Sequence, residues 1–167
     1  MKNKIKSVLA ALGLFGATAA QAQEVGNPLF GTLLDTLLSH MVPETDVPAA
    51  RQLQGAYYLD AREWEEFQVS HIPEARWVGY KSFDLTRLEG IPKDQPIVVY
   101  CSVGYRSERI ARRLEQEGYS RVYNLYGGIF EWVNQGNPVR DASGPTTRTH
   151  AYSAAWSVWL QAGEKVY

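Results

Sequence analysis

Two rhythms of apolar residues alternate along the chain. In NPLFGTLLDTLLSHMVPETDVPAA, Leu29, Phe30, Leu33, Leu34, Leu37, Leu38 and Met41 fall at helical spacing, and Pro43 and Pro48 break the pattern. Basic residues are missing from this segment, which favours a helix packed on the domain over one laid on a membrane surface or a partner. Shorter runs follow. GAYYLDAR predicts a strand from Ala56 to Leu59 that ends at Asp60, REWEEF a short helix, EARWVGY a second short strand, and SFDLTRLEGIP a helix stopped by Gly90 and Pro92. QPIVVYC is a continuous apolar run, the pattern of a parallel strand buried on both faces. SERIARRLEQEGY sets Ile110, Ala111 and Leu114 on one helical face and stops at Gly118. RVYNLYGG reads as another strand, and IFEWVNQG as a helix stopped by Gly136. This alternation predicts an α/β fold, a three-layer open and mainly parallel sheet with helices on both faces. After the polar loop DASGPTTR, HAYSAAWSVWLQAG carries Tyr152, Trp156, Trp159 and Leu160 at near-helical spacing, which predicts a C-terminal helix docked on the domain or meeting a partner.

Composition narrows this reading. A chain of 167 residues with 45% hydrophobic content buries one core. A net charge of −1 gives no bulk attraction to nucleic acid. The N-terminus stands apart. MKNKIK is basic, SVLAALGLFGATAA is apolar but short of the roughly 20 residues that span a bilayer, and Ala20-Gln21-Ala22 fits small-residue cleavage. Residues 1–22 therefore predict a cleaved signal peptide, a mature chain starting at Gln23, a periplasmic or secreted location, and no stable membrane insertion after cleavage. Loss of Lys2, Lys4 and Lys6 from 17 basic residues against 18 acidic ones leaves a mature charge of −4.

Export sharpens the meaning of Cys101, the single cysteine. Oxidising compartments favour paired cysteines. A lone one is either buried and inert or a working free thiol, and the count alone does not choose. The neighbourhood does. Cys101 ends the buried strand, where open α/β sheets bind ligands. A helix is expected to start at about Ser107, with its N-terminus facing the thiol. Gly104 lets the intervening segment arc tightly, so that backbone N–H groups converge into an anion-binding nest. Both features, with the charge of Arg106, favour a thiolate and hence a nucleophile.

The segment from Val98 to Tyr119 resembles the active loop of the rhodanese family of sulfurtransferases, through Cys101, Gly104, Arg106 and Ser107. LDAREWEEFQVSHIPEA resembles further blocks of that family through Asp60, Arg62, Glu66, Phe67, His71, Ile72, Pro73 and Ala75. It departs at Ser70 and Glu74, where glycines are usual. LYGGIFEW resembles the closing block through Leu125, Gly127, Gly128 and Trp132. The resemblance runs from about residue 47 to 138. It leaves residues 23–46 as an amphipathic helix and linker, and residues 139–167 as an extension.

The resemblance implies persulfide chemistry. Cys101 is the nucleophile, and Ser102, Val103, Gly104, Tyr105, Arg106 and Ser107 form the anion-binding loop. Asp60, Arg62 and His71 give structural support. Arg106 is expected to help hold the donor's anionic group with its planar fork. Arg109, Arg112 and Arg113 read as a solvated helix face, Trp132 as core, and Gly127–Gly128 as a tight strand-to-helix turn. No metal or cofactor is called for. The partners implied are a small-molecule sulfur donor and a thiol or cyanide acceptor; an acceptor protein is left unidentified. Ser102, Val103 and Tyr105 add no cation for a dianionic donor, and the loop differs from the Cys-Gly-Ser/Thr-Gly form associated with mercaptopyruvate. Two other classes stay open. Cys-dependent phosphatases place five residues between Cys and Arg, whereas this loop places four. A sulfur-carrier, binding or redox-sensing module would use the same thiol without turnover.

Overall fold

The computed structural model describes residues 23–167. The predicted signal peptide, residues 1–22, lies outside the described residues. Among the described residues no helix is long and apolar enough to cross a membrane.

Five parallel strands form the central sheet. They are β1 (Glu44–Thr45), β2 (Tyr57–Asp60), β3 (Arg76–Trp77), β4 (Ile97–Tyr100) and β5 (Val122–Leu125), in the order β1-β5-β4-β2-β3. The register sets Tyr57 beside Ile97 and Asp60 beside Tyr100, so β2 and β4 end level. Strand β4 is buried along its whole length, as its unbroken apolar run requires. Its side chains alternate between two cores. Val98 and Tyr100 join Phe30, Leu34, Leu125, Phe130 and Trp132 on one face. Ile97 and Val99 join Leu59, Leu88, Ile110, Ala111 and Leu114 on the other. Helices α1 (Pro28–Leu37), α2 (Val47–Gln52) and α5 (Gly128–Asn134) supply the first face. The buried side of α4 (Tyr105–Gln116) supplies the second. The three-layer α/β expectation therefore holds.

Several local expectations are corrected. Helix α1 ends before Pro43 and Pro48, and Pro48 sits in the first turn of a further short helix, α2, where its fixed φ suits a helix and no N–H is needed. The linker before it contributes β1, an edge strand on β5. SFDLTRLEGIP forms only a 3₁₀ turn over Leu85–Leu88, capped by the Asp84 carboxylate. EARWVGY does supply a short strand, over Arg76–Trp77 alone. Helix α4 begins at Tyr105, two residues before the expected Ser107.

The C-terminal helix is absent. The extension instead forms a hairpin of β6 (Val139–Asp141) and β7 (Gly144–Thr146), then a parallel pair of β8 (Arg148–His150) and β9 (Glu164–Val166) around a 3₁₀ turn over Ser157–Trp159. Its apolar residues pack on the domain core. Leu160 and Ala151 are buried, and the Trp159 ring stacks on Phe30 at 5.3 Å. Each anchor fills its own place on the core, so no continuous helical stripe is required. Tyr152, with φ of 64°, would interrupt one.

Helix α1 packs Phe30 and Leu34 on the core, and Leu38, the residue that caps its C-terminus, joins them. Buried acids tie its flanks down. Glu108 of α4 accepts N–H bonds from Ser39 and Met41, and Glu131 of α5 accepts one from Gly26.

Two departures from the family blocks differ in cost. Ser70 is extended, with φ of −171°, a conformation any residue adopts. Glu74 lies at φ of 62°, in the left-handed region that glycine tolerates best. Gly128 is the reverse case: φ is 58°, and a Cβ there would sit 2.5 Å from the Cys101 carbonyl oxygen and 2.6 Å from that of Ser102. In urea denaturation, Glu74→Gly should stabilise the protein by about 1 kcal/mol. Gly128→Ala should destabilise it by about 2 kcal/mol or more, since it adds a backbone clash to the same strain. Equal and small effects at both positions would show that neither turn is constrained.

Candidate active site

The ends of β2 and β4 lie side by side, and the side chains leaving them build the site. Asp60 and Arg62 form a fully buried ion pair. The guanidinium meets the carboxylate through Nε and through Nη2 at 2.6 Å, and Nη2 also donates to the Ser70 carbonyl. Removing one partner of such a pair would leave a buried charge uncompensated. The pair therefore clamps the exit of β2 to the end of α3 (Trp64–Val69). His71 has a similar role. Its ring stacks on Phe67 with centroids 4.0 Å apart, its Nδ1 pairs with the Phe67 carbonyl, and its backbone bridges to Arg140. It does not line the cavity above Cys101.

Cys101 follows β4 directly and is buried as a free thiol. The loop from Cys101 to Gly104 is held from below by α5. The N–H groups of Ile129 and Phe130 donate to the carbonyls of Cys101 and Ser102 at 2.9 and 3.1 Å. In a planar trans peptide the N–H points opposite to the C=O. Turning these two carbonyls toward α5 therefore turns the N–H groups of Ser102 and Val103 away from it. Gly104, at φ of 118°, then caps α4 and lets its own N–H donate to Cys101 Sγ at 3.2 Å. The Ser107 hydroxyl lies 3.5 Å from the same sulfur. Asn124 of β5 pins this turn: its side-chain N–H donates to the Gly104 carbonyl, and its oxygen accepts from Ser107 Oγ at 2.7 Å.

Burial alone would push the Cys101 thiol up. The positive charge of Arg106, the hydroxyl and backbone N–H of Ser107 and the N–H of Gly104 outweigh it, and the thiol lies below its ordinary value. The loop thus carries its own means of forming a thiolate.

Arg106 departs from expectation in where its fork points. Both terminal nitrogens grip Glu66, at 2.6 and 2.8 Å, and one also meets Ser102 Oγ. Glu66 is buried, and its remaining capacity is filled by Ser102 Oγ and the Glu63 N–H. Burial would raise the Glu66 carboxyl, but the bond and charge of Arg106 hold it below the usual range. The guanidinium therefore reaches the sulfur as a charge, while its donors hold the loop to α3.

Of the predicted loop, Cys101, Ser102, Val103, Tyr105 and Arg106 line one cavity of about 450 Å³; Gly104 and Ser107 support it from behind. Arg109 turns aside, folding over the Tyr105 ring at 3.5 Å, and Arg113 lies over Phe83. Arg112 meets the Met41 sulfur. Sequence reasoning gave no role at the site to Asn124, and none beyond block membership to Glu66. An asparagine inside an otherwise apolar strand was the available signal for the first. It also missed the upper walls of the cavity, Leu37, Tyr80, Lys81, Tyr152 and Trp156, which come from distant parts of the chain.

Comparison with known proteins agrees with this architecture. A sulfurtransferase of Allochromatium vinosum is 35% identical over 103 residues, covering 59% of this chain and 95% of that protein. A tRNA uridine(34) hydroxylase of Escherichia coli is 27% identical over 128 residues, and the match spans 71% of this chain but only 36% of that enzyme. Among solved structures, the rhodanese-like domain of an Anabaena protein superposes with a TM-score of 0.55 at 21% identity, covering 60% of this chain and 80% of that one. A thiosulfate sulfurtransferase of Pseudomonas aeruginosa superposes with a TM-score of 0.56 at 24% identity, over 78% of this chain and 25% of that one. Residues 46–135 match the family model of the rhodanese-like domain. With that match spanning more than half its length, and a cysteine loop closing the central strand, the chain belongs to the rhodanese-like domain family.

Proposed function

We propose that this protein moves sulfane sulfur from a donor such as thiosulfate to a thiol or cyanide acceptor, through a persulfide on Cys101. The observation that carries this reading is the thiol itself: buried at a strand end, bonded by the Gly104 N–H, near the Ser107 hydroxyl, and shifted toward thiolate by Arg106. The sulfurtransferase relative, matched over nearly its whole length, supports the same class.

The Cys101 thiolate attacks the outer sulfur of the donor. A new S–S bond forms as the donor's own S–S bond breaks, and with thiosulfate the sulfite leaves with the electron pair. The terminal sulfur of the persulfide carries the negative charge. The loop N–H groups and the N-terminus of α4 lie on the side where that charge develops. An acceptor thiolate or cyanide then attacks the terminal sulfur and restores the Cys101 thiolate. A lone cysteine suits the intermediate, because no second thiol of the same chain can convert it to a disulfide. The four-residue spacing between Cys101 and Arg106 disfavours a phosphatase, since its tighter arc suits a sulfur atom better than a whole phosphate. The export expected from residues 1–22 would place this chemistry in the periplasm or outside the cell.

Intact mass spectrometry after thiosulfate treatment should show one added sulfur, lost in Cys101→Ser while the variant still unfolds cooperatively. A variant that still acquires sulfur would overturn the mechanism.

The rate of iodoacetamide alkylation should rise with pH as the thiolate forms, with a midpoint below the roughly 8.5 of a free thiol. As pH falls through that midpoint, alkylation and sulfur transfer should decline together. Glu66, held below the ordinary carboxylate range, stays ionised above it. Its pairing with Arg106 therefore contributes stability throughout this window and loses it only at lower pH, as the carboxylate takes up a proton. Arg106→Lys keeps a charge but cannot hold Glu66 with two nitrogens. It should lower the transfer rate roughly 10- to 100-fold, about 1.4 to 2.7 kcal/mol. Unchanged thiosulfate kinetics in that variant would limit Arg106 to a structural role.

A further inference from the structure

The floor of the Cys101 cavity comes from the family domain, but part of its wall does not. Leu37 ends α1, and Tyr152 and Trp156 belong to the C-terminal extension; all three lie outside residues 46–135. The wall they add is apolar and aromatic. Tyr152 stands out within it. It is a bulky residue at φ of 64°, a conformation that costs roughly 1–3 kcal/mol and persists where the surroundings impose it. Its N–H donates to His150 Nδ1, its neighbour Ala151 is tied to Val166 of β9, and its ring sits over the Arg106 guanidinium at 5.1 Å. The extension thus holds one aromatic ring in a strained pose directly over the active loop. Trp156 stands beside it on the same cavity.

The charges around this cavity are sparse. Both terminal nitrogens of Arg106 are engaged by Glu66 and Ser102. Lys81 is exposed and makes no ion pair among the described residues, and Glu63 adds a carboxylate to the rim. A dianion as small as thiosulfate would fill a fraction of about 450 Å³ and leave the aromatic wall untouched. A cavity of this size and lining matches an organic ligand with one polar end.

Building on the sulfur-transfer reading, we propose that Tyr152 and Trp156 are specificity-determining residues, and that they direct Cys101 toward organic sulfane donors with an apolar or aromatic group and a single negative charge. An organic thiosulfonate, R–SO₂–S⁻, represents this class. Its outer sulfur meets the Cys101 thiolate, and the S–S bond to Cys101 forms as the donor's S–S bond breaks. The sulfinate R–SO₂⁻ leaves with the electron pair. The R group lies against Tyr152, Trp156 and Leu37, and Lys81 faces the sulfonyl end.

The test compares benzenethiosulfonate with methanethiosulfonate, with thiosulfate as reference. The wild-type protein should prefer the benzene donor in kcat/KM by about tenfold, the scale of one aromatic pairing. Trp156→Ala and Tyr152→Ala should each reduce that ratio roughly three- to tenfold. Tyr152 is an exposed side chain, so Tyr152→Ala keeps the test sharp should Trp156→Ala fail to fold. A ratio near one in the wild type, or an undiminished ratio in Tyr152→Ala, would overturn the proposal. Calorimetric binding of benzenesulfinate against methanesulfinate needs no chemistry and separates the two levels. If no donor leaves sulfur on Cys101, the sulfur-transfer reading falls. Tighter benzenesulfinate binding that weakens in Tyr152→Ala would still support the aromatic wall, and equal binding of the two sulfinates would remove it.

Discussion

The site depends on where two backbone carbonyls point. Cys101 and Ser102 lie in a segment that must leave a buried strand and start a helix within four residues. Each peptide there has one oxygen and one N–H to place on opposite sides. Helix α5 takes the oxygens through Ile129 and Phe130, and Gly128 makes the close approach possible by lacking a Cβ. The opposite side of the loop is thereby left rich in N–H groups. If α5 sat further away, the carbonyls would compete for the space above the sulfur, and the loop would repel an anion. A glycine pair some twenty-five residues beyond the cysteine is thus part of the Cys101 environment.

Charge placement follows the same economy. The Cys101 sulfur and the Glu66 carboxylate are both buried near one cation, Arg106. The guanidinium satisfies the carboxylate by direct bonds and acts on the sulfur at longer range. This arrangement explains why the thiol is lowered despite its burial. It also explains why the loop is not an open arginine fork. Asp60 and Arg62, one layer deeper, balance their own charges and hold the neighbouring strand end. The two ion pairs have different roles, since one fixes the frame and the other tunes the sulfur.

The segments outside the family domain complete the molecule in a different way. Helix α1 and the C-terminal extension both pack on the same core face, and Phe30 meets Trp159 there. Having reached that face, both also reach the rim of the cavity. Residues 46–135 by themselves would leave the loop open on this side. Here Leu37, Tyr152 and Trp156 stand on it, and the strain at Tyr152 indicates that its position is imposed rather than incidental.

The parts of this protein legible in its sequence are those set by local periodicity and by single-residue chemistry. The apolar run of β4, the amphipathic face of α4, and the glycine before that helix each act over a few residues. They located Cys101 at a strand end facing a helix N-terminus without reference to anything distant. The alternation of such units was enough for the α/β layers. Tertiary structure decided what depends on residues far apart in the chain. Arg106 turns to Glu66, forty positions earlier, because a buried carboxylate needs a charged partner, and no local pattern encodes that choice. Asn124 reaches Gly104 across two parallel strand ends. The spacing of Tyr152, Trp156, Trp159 and Leu160 matched a helix, yet Trp156, Trp159 and Leu160 pack on the core from turns and a 3₁₀ turn, and Tyr152 stands exposed in a bend. An aromatic side chain gains more from a fitted site than its backbone loses by leaving helical geometry. The walls of the cavity, drawn from residue 37 at one end and residue 156 at the other, exist only once the sheet has brought the two ends of the chain to one face.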